Sequence, residues 1–323
     1  MKWTERRPAG DTNNYWRAVA CSALGKIIIA ASGTGRLYTS SDYGKTWTER
    51  QPAGNADIDW HCVACSADGS IFIAAVTAGR VYVSVDSGVS WTERQPAGNV
   101  DVLWNEVACN ADGTKFIISA TDNPSLPCGR LYISSNSGVT WTETRPEGDN
   151  NWYWQGVACN AVGNIRVACR ITGRLYVSDD FGVTWTERQP AGNLDQNWRA
   201  VACSADGSKI IACILNGKVY LSVNFGLAWT ETKPGGYTGL SWYAVASNAD
   251  GKRLILGTSL GRLWRSTDYG VTWTETRPAG DFNKTWFCVA SNAGGSKLVS
   301  AAYDARLYTS KSKIYMLPIT GTD

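Results

Sequence analysis

Short apolar runs, four to six residues long and broken by glycine beside aspartate or asparagine, follow one another along the whole chain. Between residues 61 and 95 they read HCVACS (61–66), IFIAAV (71–76), GRVYVS (79–84) and WTERQ (91–95), with ADG, TA and VDSGVS at the breaks. β-Branched and aromatic residues dominate the runs, so each has the length and composition of a strand. The breaks hold the residue types that tolerate the positive φ of tight hairpins. No segment keeps a helical period over ten residues, and the pattern predicts an all-β chain.

The same pattern recurs. WTERQPAGN stands at 47–55, 91–99 and 185–193, and near-copies open at Trp3, Trp141, Trp229 and Trp273. The seven WT tryptophans (3, 47, 91, 141, 185, 229, 273) are 44 residues apart, except for one step of 50. A second set, at 16, 60, 104, 154, 198, 242 and 286, keeps the same intervals. A period in the mid-forties with four short strands per unit predicts a β-propeller, one four-stranded blade per repeat. Seven units give seven blades of antiparallel strands in one domain spanning 1–323, with a six-residue expansion at 122–127. The chain starts with a lone outer-type strand, so residues 1–6 are expected to complete the last blade and remove two open edges. The tail KIYMLPIT (313–320) competes for that role.

Six hairpins read SSDYGKTW (40–47), SVDSGVSW (84–91), SSNSGVTW (134–141), SDDFGVTW (178–185), SVNFGLAW (222–229) and STDYGVTW (266–273); SKSKIYML (310–317) is a degenerate seventh. They resemble the Asp-box, or BNR repeat, of pattern S-x-D-x-G-x-T-W. The resemblance implies a folding motif at Asp42, Asp86, Asn136, Asp180, Asn224 and Asp268, where the side chain accepts turn amides and the tryptophan packs into the blade. It identifies a fold and leaves function open. Sialidases carry such boxes, but they depend on an arginine triad, a tyrosine nucleophile and an Arg-Ile-Pro-like motif whose nearest match here is RRP at 6–8. A unique catalytic constellation is hard to place where polar residues recur sevenfold. The only histidine, His61, occupies a position held elsewhere by Arg17, Asn105, Gln155, Arg199, Tyr243 and Phe287, which reads as a variable site and not a general base. No enzyme activity and no cofactor are expected.

Composition narrows the rest. The 31 basic and 28 acidic residues are dispersed, leaving a net charge of +3, which disfavours nucleic acid. No run of about 18 apolar residues suggests membrane insertion, and the opening residues already belong to a repeat, so no secretory leader is read. Five of the ten cysteines (21, 65, 109, 159, 203) share one repeat position and two others (169, 213) a second. That pattern fits small buried hydrophobes in a reducing, cytoplasm-like compartment better than disulfides or zinc. A monomer is expected.

Function has to come from the segments that cross between blades. In three copies Gln precedes Pro and Asn follows Gly (Gln51/Asn55, Gln95/Asn99, Gln189/Asn193); in three others the pair is Arg7/Asp11, Arg145/Asp149 and Arg277/Asp281. The two positions change together across a Pro-x-Gly turn, as a structural clasp would. Lys233 with Tyr237 is the odd copy, and its loop should be looser or re-aimed. Two residues beyond the clasp comes a second polar position (Asn13, Asp57, Asp101, Asn151, Asp195, Asn283), then Trp16, Trp60, Trp104, Trp154, Trp198, Trp242 and Trp286. Arginines of the GR turns (Arg36, Arg80, Arg130, Arg174, Arg262, Arg306) should reach the same face. An indole plane, an amide or carboxylate and an arginine together would suit a sugar, unless each indole is a wedge between blades. The leading expectation is a multivalent carbohydrate-binding propeller, similar in architecture to seven-bladed lectins. The alternative is a protein-interaction scaffold like the seven-bladed Asp-box factors that assist photosystem assembly, with the expansion at 122–127 as its patch. A third reading is a duplicated or designed ring with no ligand.

Overall fold

The computed structural model describes residues 1–121, 129–236, 240–303 and 305–311. The expansion at 122–127, Cys128, Tyr237 and the tail 313–320 lie outside them. Seven four-stranded antiparallel sheets stand around a central axis, and among the described residues the one helical element is a 3-10 turn at Pro234–Gly236, in the odd copy.

Blade 1 is built from Trp16–Cys21, Ile28–Ser32, Leu37–Ser40 and Thr48–Arg50, in that order from the axis outward. Blades 2 to 6 repeat this plan, starting from the inner strands Trp60–Cys65, Trp104–Cys109, Trp154–Cys159, Trp198–Cys203 and Ser241–Ser247. The third and outer strands are shorter than their apolar runs. Val81–Ser84 begins after Gly79, which is bridged to Val102, and Thr92–Arg94 begins after the box tryptophan.

Blade 7 holds Trp286–Ser291, Leu298–Ala302 and Leu307–Lys311, and Lys2–Arg6 completes it. Trp3 pairs with Ser310 and Arg6 with Leu307. The N-terminal strand therefore closes the ring. Its indole donates to Thr276 Oγ1 at 2.7 Å, as Trp273 donates to Thr232 at 2.8 Å, so Trp3 sits on its neighbouring blade as an internal repeat does.

Second strands such as Phe72–Val76 and Ile210–Ile214 are buried almost throughout because each sheet is covered on both faces by its neighbours. Apolar clusters span adjacent blades: Trp104 of blade 3 packs with Ala75, Val81 and Cys62 of blade 2. This inter-blade burial is the main cohesion of the ring. The nine described cysteines are free thiols, half-buried or buried, and burial pushes Cys21 up to about 12 and Cys159 up to about 11.

Candidate functional site

Each Asp-box is a closed circuit of hydrogen bonds. Asp42 accepts from the amides of Lys45 (2.8 Å) and Thr46 (2.9 Å) and from the hydroxyls of Thr46 (2.7 Å) and Ser40 (2.9 Å); Trp47 Nε1 donates to the Gly44 carbonyl at 3.1 Å. Asp86, Asp180 and Asp268 repeat the carboxylate bonds. Asn136 and Asn224 accept one such amide, from Thr140 at 2.9 Å and Ala228 at 2.8 Å. These six residues are structural.

The crossover segments and GR turns meet on the opposite face. Gly35 bridges to Ile58, Gly79 to Val102, Gly173 to Gln196 and Gly261 to Lys284. The arginines are fully engaged there. Arg36 pairs with Asp57 at 3.0 Å, Arg80 with Asp101 at 2.9 Å and Arg174 with Asp195 at 2.8 Å. Where the second polar position is Asn13, Asn151 or Asn283, that side chain stays exposed and the arginine turns to backbone. Arg306 donates to the carbonyls of Gly10 (3.1 Å), Asp11 and Thr12, and Arg262 to those of Gly280 (2.9 Å), Asp281 (2.5 Å) and Phe282 (2.6 Å). Arg130 does the same with Gly148 (3.3 Å), Asp149 and Asn150.

The clasp is strong in only one loop class. Arg7–Asp11, Arg145–Asp149 and Arg277–Asp281 are ion pairs. In the Gln/Asn class the two amides stand 3.5 Å apart at best, and Gln51, Gln95 and Gln189 donate instead to Glu49 (2.8 Å), Glu93 (3.1 Å) and Glu187 (2.7 Å). Asn55 and Asn193 accept from Arg36 (2.8 Å) and Arg174 (2.9 Å). The covariation therefore records which groups the GR arginine takes. The odd copy substitutes a lysine, with Lys218 on Glu231 at 2.6 Å.

The indoles are wedges. Trp16, Trp60, Trp104, Trp154, Trp198, Trp242 and Trp286 are at most 3% exposed. Trp104, Trp198, Trp242 and Trp286 donate Nε1 to Gly79, Gly173, Gly217 and Gly261 of the preceding blade at 2.9–3.2 Å. Six of the seven (not Trp242) also meet a tyrosine edge-on, as Trp16 meets Tyr38 at 5.6 Å. None of these seven indoles presents a face to a sugar, and the arginines expected beside them are spent on the loops. The reason is packing: a large flat side chain at the start of the inner strand fills the widening gap between blades.

What the repeat leaves unrepeated is the next residue. A β-bulge follows the tryptophan in every inner strand, with the register shifting between Trp16 and Ala18 and at each equivalent point. Arg17, His61, Asn105, Arg199, Tyr243 and Phe287 line the crossover end of the central channel around a cavity of about 130 Å³, with valines such as Val19 and Val201 below. Recurrence pointed away from this ring. The signal that could have found it was its lack of recurrence.

Its chemistry is uneven. Asn105 donates both amide hydrogens to the carbonyls of Trp154 and Gln155 at 3.0 Å, so its Oδ1 faces His61 Nε2 at 3.1 Å and takes that proton. His61 Nδ1 is left to accept from Thr77 Oγ1 at 3.0 Å. Burial, reinforced by Arg17, pushes this imidazole down to about 4, so it is neutral. Arg17 pairs with Asp59 at 3.5 Å. Arg199 lies over Tyr243 (5.1 Å) and Phe287 (5.7 Å) and donates no hydrogen bond among the described residues. The aromatic shelf continues outward from Phe287 to Tyr303 (5.8 Å) and Tyr15 (4.5 Å from Tyr303), which are 40% and 36% exposed. Glu106 stands where other blades have Ala, Cys or Gly. Burial pushes it up to about 7, against a weak bond from the Val107 amide and the charge of Arg199.

A family model, the BNR-Asp box repeat, matches residues 37–50, 175–188 and 263–276, each running from a third strand through the box to the outer strand. The chain is a seven-bladed Asp-box propeller. Among curated proteins no sequence match is found. Among solved structures the propeller is similar to YCF48 from Cyanidioschyzon merolae, with a TM-score of 0.71 at 14% identity over 96% of this chain and 99% of that one. It is also similar to a structure described as YCF48 bound to D1 peptide, with a TM-score of 0.72 at 13% identity over 96% of both chains. At such identities the likeness carries the fold alone.

Proposed function

We propose that the propeller is a protein-interaction scaffold, without enzymatic activity, that takes a peptide segment of a partner across the channel mouth on its crossover face. The observation that carries this is Arg199: a guanidinium with five donors rests on the Tyr243–Phe287 shelf, facing the channel, with no hydrogen-bond acceptor among the described residues and the buried Glu106 as the charge it feels. A peptide supplies carbonyl or carboxylate oxygens for Arg199 and apolar side chains for the exposed edges of Tyr15 and Tyr303. The peptide held by one of the structurally similar propellers supports this reading. The multivalent sugar reading has lost its stacking plates. The free thiols at repeat positions fit a reducing compartment.

Panning a random peptide library on the full chain tests the proposal. Recovered peptides are expected to bind Arg199→Ala and Phe287→Ala at least about tenfold more weakly, the scale of an interface hot spot. Equal binding to both variants, or a protein that recovers no peptide but retains sugars on a glycan array, would sink it.

A further inference from the structure

The Asp-box face, opposite the channel mouth, has a pattern of its own. The fourth residue of each box has positive φ: Tyr43 (66°), Ser87 (59°), Ser137 (55°), Phe181 (64°), Phe225 (60°) and Tyr269 (60°). Serine adopts this region at modest cost, whereas a bulky ring there is strained, and such strain clusters where a side chain is held for a purpose. Four boxes nonetheless place a ring at this point and leave it 37–44% exposed.

Three of these rings lie under a lysine from the preceding blade. Lys297 Nζ is 5.4 Å from the Tyr43 centroid, Lys115 is 5.6 Å from Phe181 and Lys209 is 5.6 Å from Tyr269. The equivalent positions at the other described junctions combine Ile27 with Ser87, Ile71 with Ser137 and Ile165 with Phe225, so no lysine stands opposite a serine. A cavity opens at each lysine–aromatic junction: about 380 Å³ beside Phe181, about 170 Å³ beside Tyr43 and about 10 Å³ beside Tyr269. The last holds no more than a water.

The two larger grooves have the same construction. Beside Tyr43 the floor is Ile28, Leu298 and Val299, with Arg6, Lys45 and Lys297 at the lip. Beside Phe181 the apolar wall is Ile133 and Val183, with Lys115 and the hydroxyls of Thr140 and Thr142 at the edge. The neighbouring box carboxylates, Asp42 and Asp180, are taken up by their own turns; Lys115 feels the charge of Asp112, whose carboxylate is bonded to Thr114.

We propose that the grooves at Tyr43 and Phe181 bind small aromatic anions, with the planar body on the ring and aliphatic floor and a carboxylate or sulfonate against the lysine ammonium. This site lies on the face opposite the channel mouth and is independent of the peptide reading.

Titrating the full chain with 2-naphthoate, followed by NMR and calorimetry, tests it. Two equivalents are expected to bind. Tyr43→Ser and Phe181→Ser should each remove one equivalent and the double variant both, with the melting temperature unchanged or higher because serine already serves this position in two boxes. Lys115→Met, or replacing the ligand by neutral 2-naphthamide, should weaken the Phe181 site about tenfold. Undiminished binding to the double serine variant would overturn the proposal. So would no binding at about 10 mM, since a ligand of this size reaches at least millimolar affinity in a formed groove.

Discussion

Asp42 is a half-exposed carboxylate whose acceptor sites are all occupied. Burial is the largest single influence on its pKa and raises it, but the hydrogen bonds from Thr46, Ser40 and Lys45 together outweigh it and hold the group down at about 2; Asp86 is held at about 2 chiefly by the Ser90 hydroxyl and amide. A carboxylate depressed in the folded state adds stability above its unfolded pKa and loses that contribution as pH falls through the folded value. The window is therefore from about pH 4 down to about pH 2. Melting the protein across that window should show a smaller loss in the quadruple variant Asp42→Asn, Asp86→Asn, Asp180→Asn, Asp268→Asn than in the wild type, because Asn136 and Asn224 already close their turns without a charge. At neutral pH, Asp86→Ala should cost about 1 kcal/mol by denaturant unfolding, a charged hydrogen-bond set discounted for exposure, and Asp86→Asn much less. Identical acid curves would mean that the boxes carry none of the acid sensitivity. The box was legible because its geometry is local: eight consecutive residues contain every hydrogen-bond partner of the Asp or Asn side chain. Trp16 and its equivalents were only half legible, since residue type states what an indole can do and not how deep the neighbouring blade leaves it.

A crossover loop and the GR turn beside it form one element, and the arginine decides how they join. Arg36 takes the Asp57 carboxylate, the Asn55 amide oxygen and the carbonyl of Ala56 at 2.6 Å, whereas Arg130 works through carbonyls and Glu143 at 3.3 Å. Two equivalent substitutions should therefore behave differently. Asp57→Ala removes a charged partner from a guanidinium that is only 15% exposed and should cost about 1 kcal/mol, while Asn151→Ala should fall within about 0.5 kcal/mol of wild type. Chemical denaturation of the pair checks this, and equal effects would refute the two-class description. The covariation was visible along the chain, but the third partner was not, because Arg36 lies about twenty residues away in a turn that only the sheet brings close. The channel ring escaped for a related reason. A repeated position reports what every blade needs, whereas His61, Arg199 and Phe287 serve the one place where seven blades meet and equivalence no longer constrains them.

At the scale of the ring, closure depends on five residues. The blade period and the unpaired outer-type strand at the start already implied that Lys2–Arg6 finishes blade 7, because an open propeller would leave an unpaired edge on Leu307–Lys311. The contacts are those of an internal strand: Trp3 with Thr276, Arg6 Nε with Thr309 at 2.8 Å, and Glu5 beside Arg306 at 3.9 Å. Trp3 also joins the cluster around Trp286 and Tyr308. Deleting residues 1–6 should thus do more than remove one strand. It exposes a row of unsatisfied amides and carbonyls and uncovers the apolar contact between blades 6 and 7. Because each blade is held mainly by its two neighbours, it also turns a closed cycle of interfaces into an open row with two weak ends. The truncated chain should melt at lower temperature, lose the single sharp transition of a closed ring and self-associate through the exposed edge. A synthetic peptide covering residues 1–9, added in excess, should restore the transition by occupying the vacant edge as a fourth strand. Size-exclusion chromatography with thermal unfolding checks each step. A truncated monomer that melts as the full chain does would show that blades 7 and 1 hold the ring shut without the terminal strand.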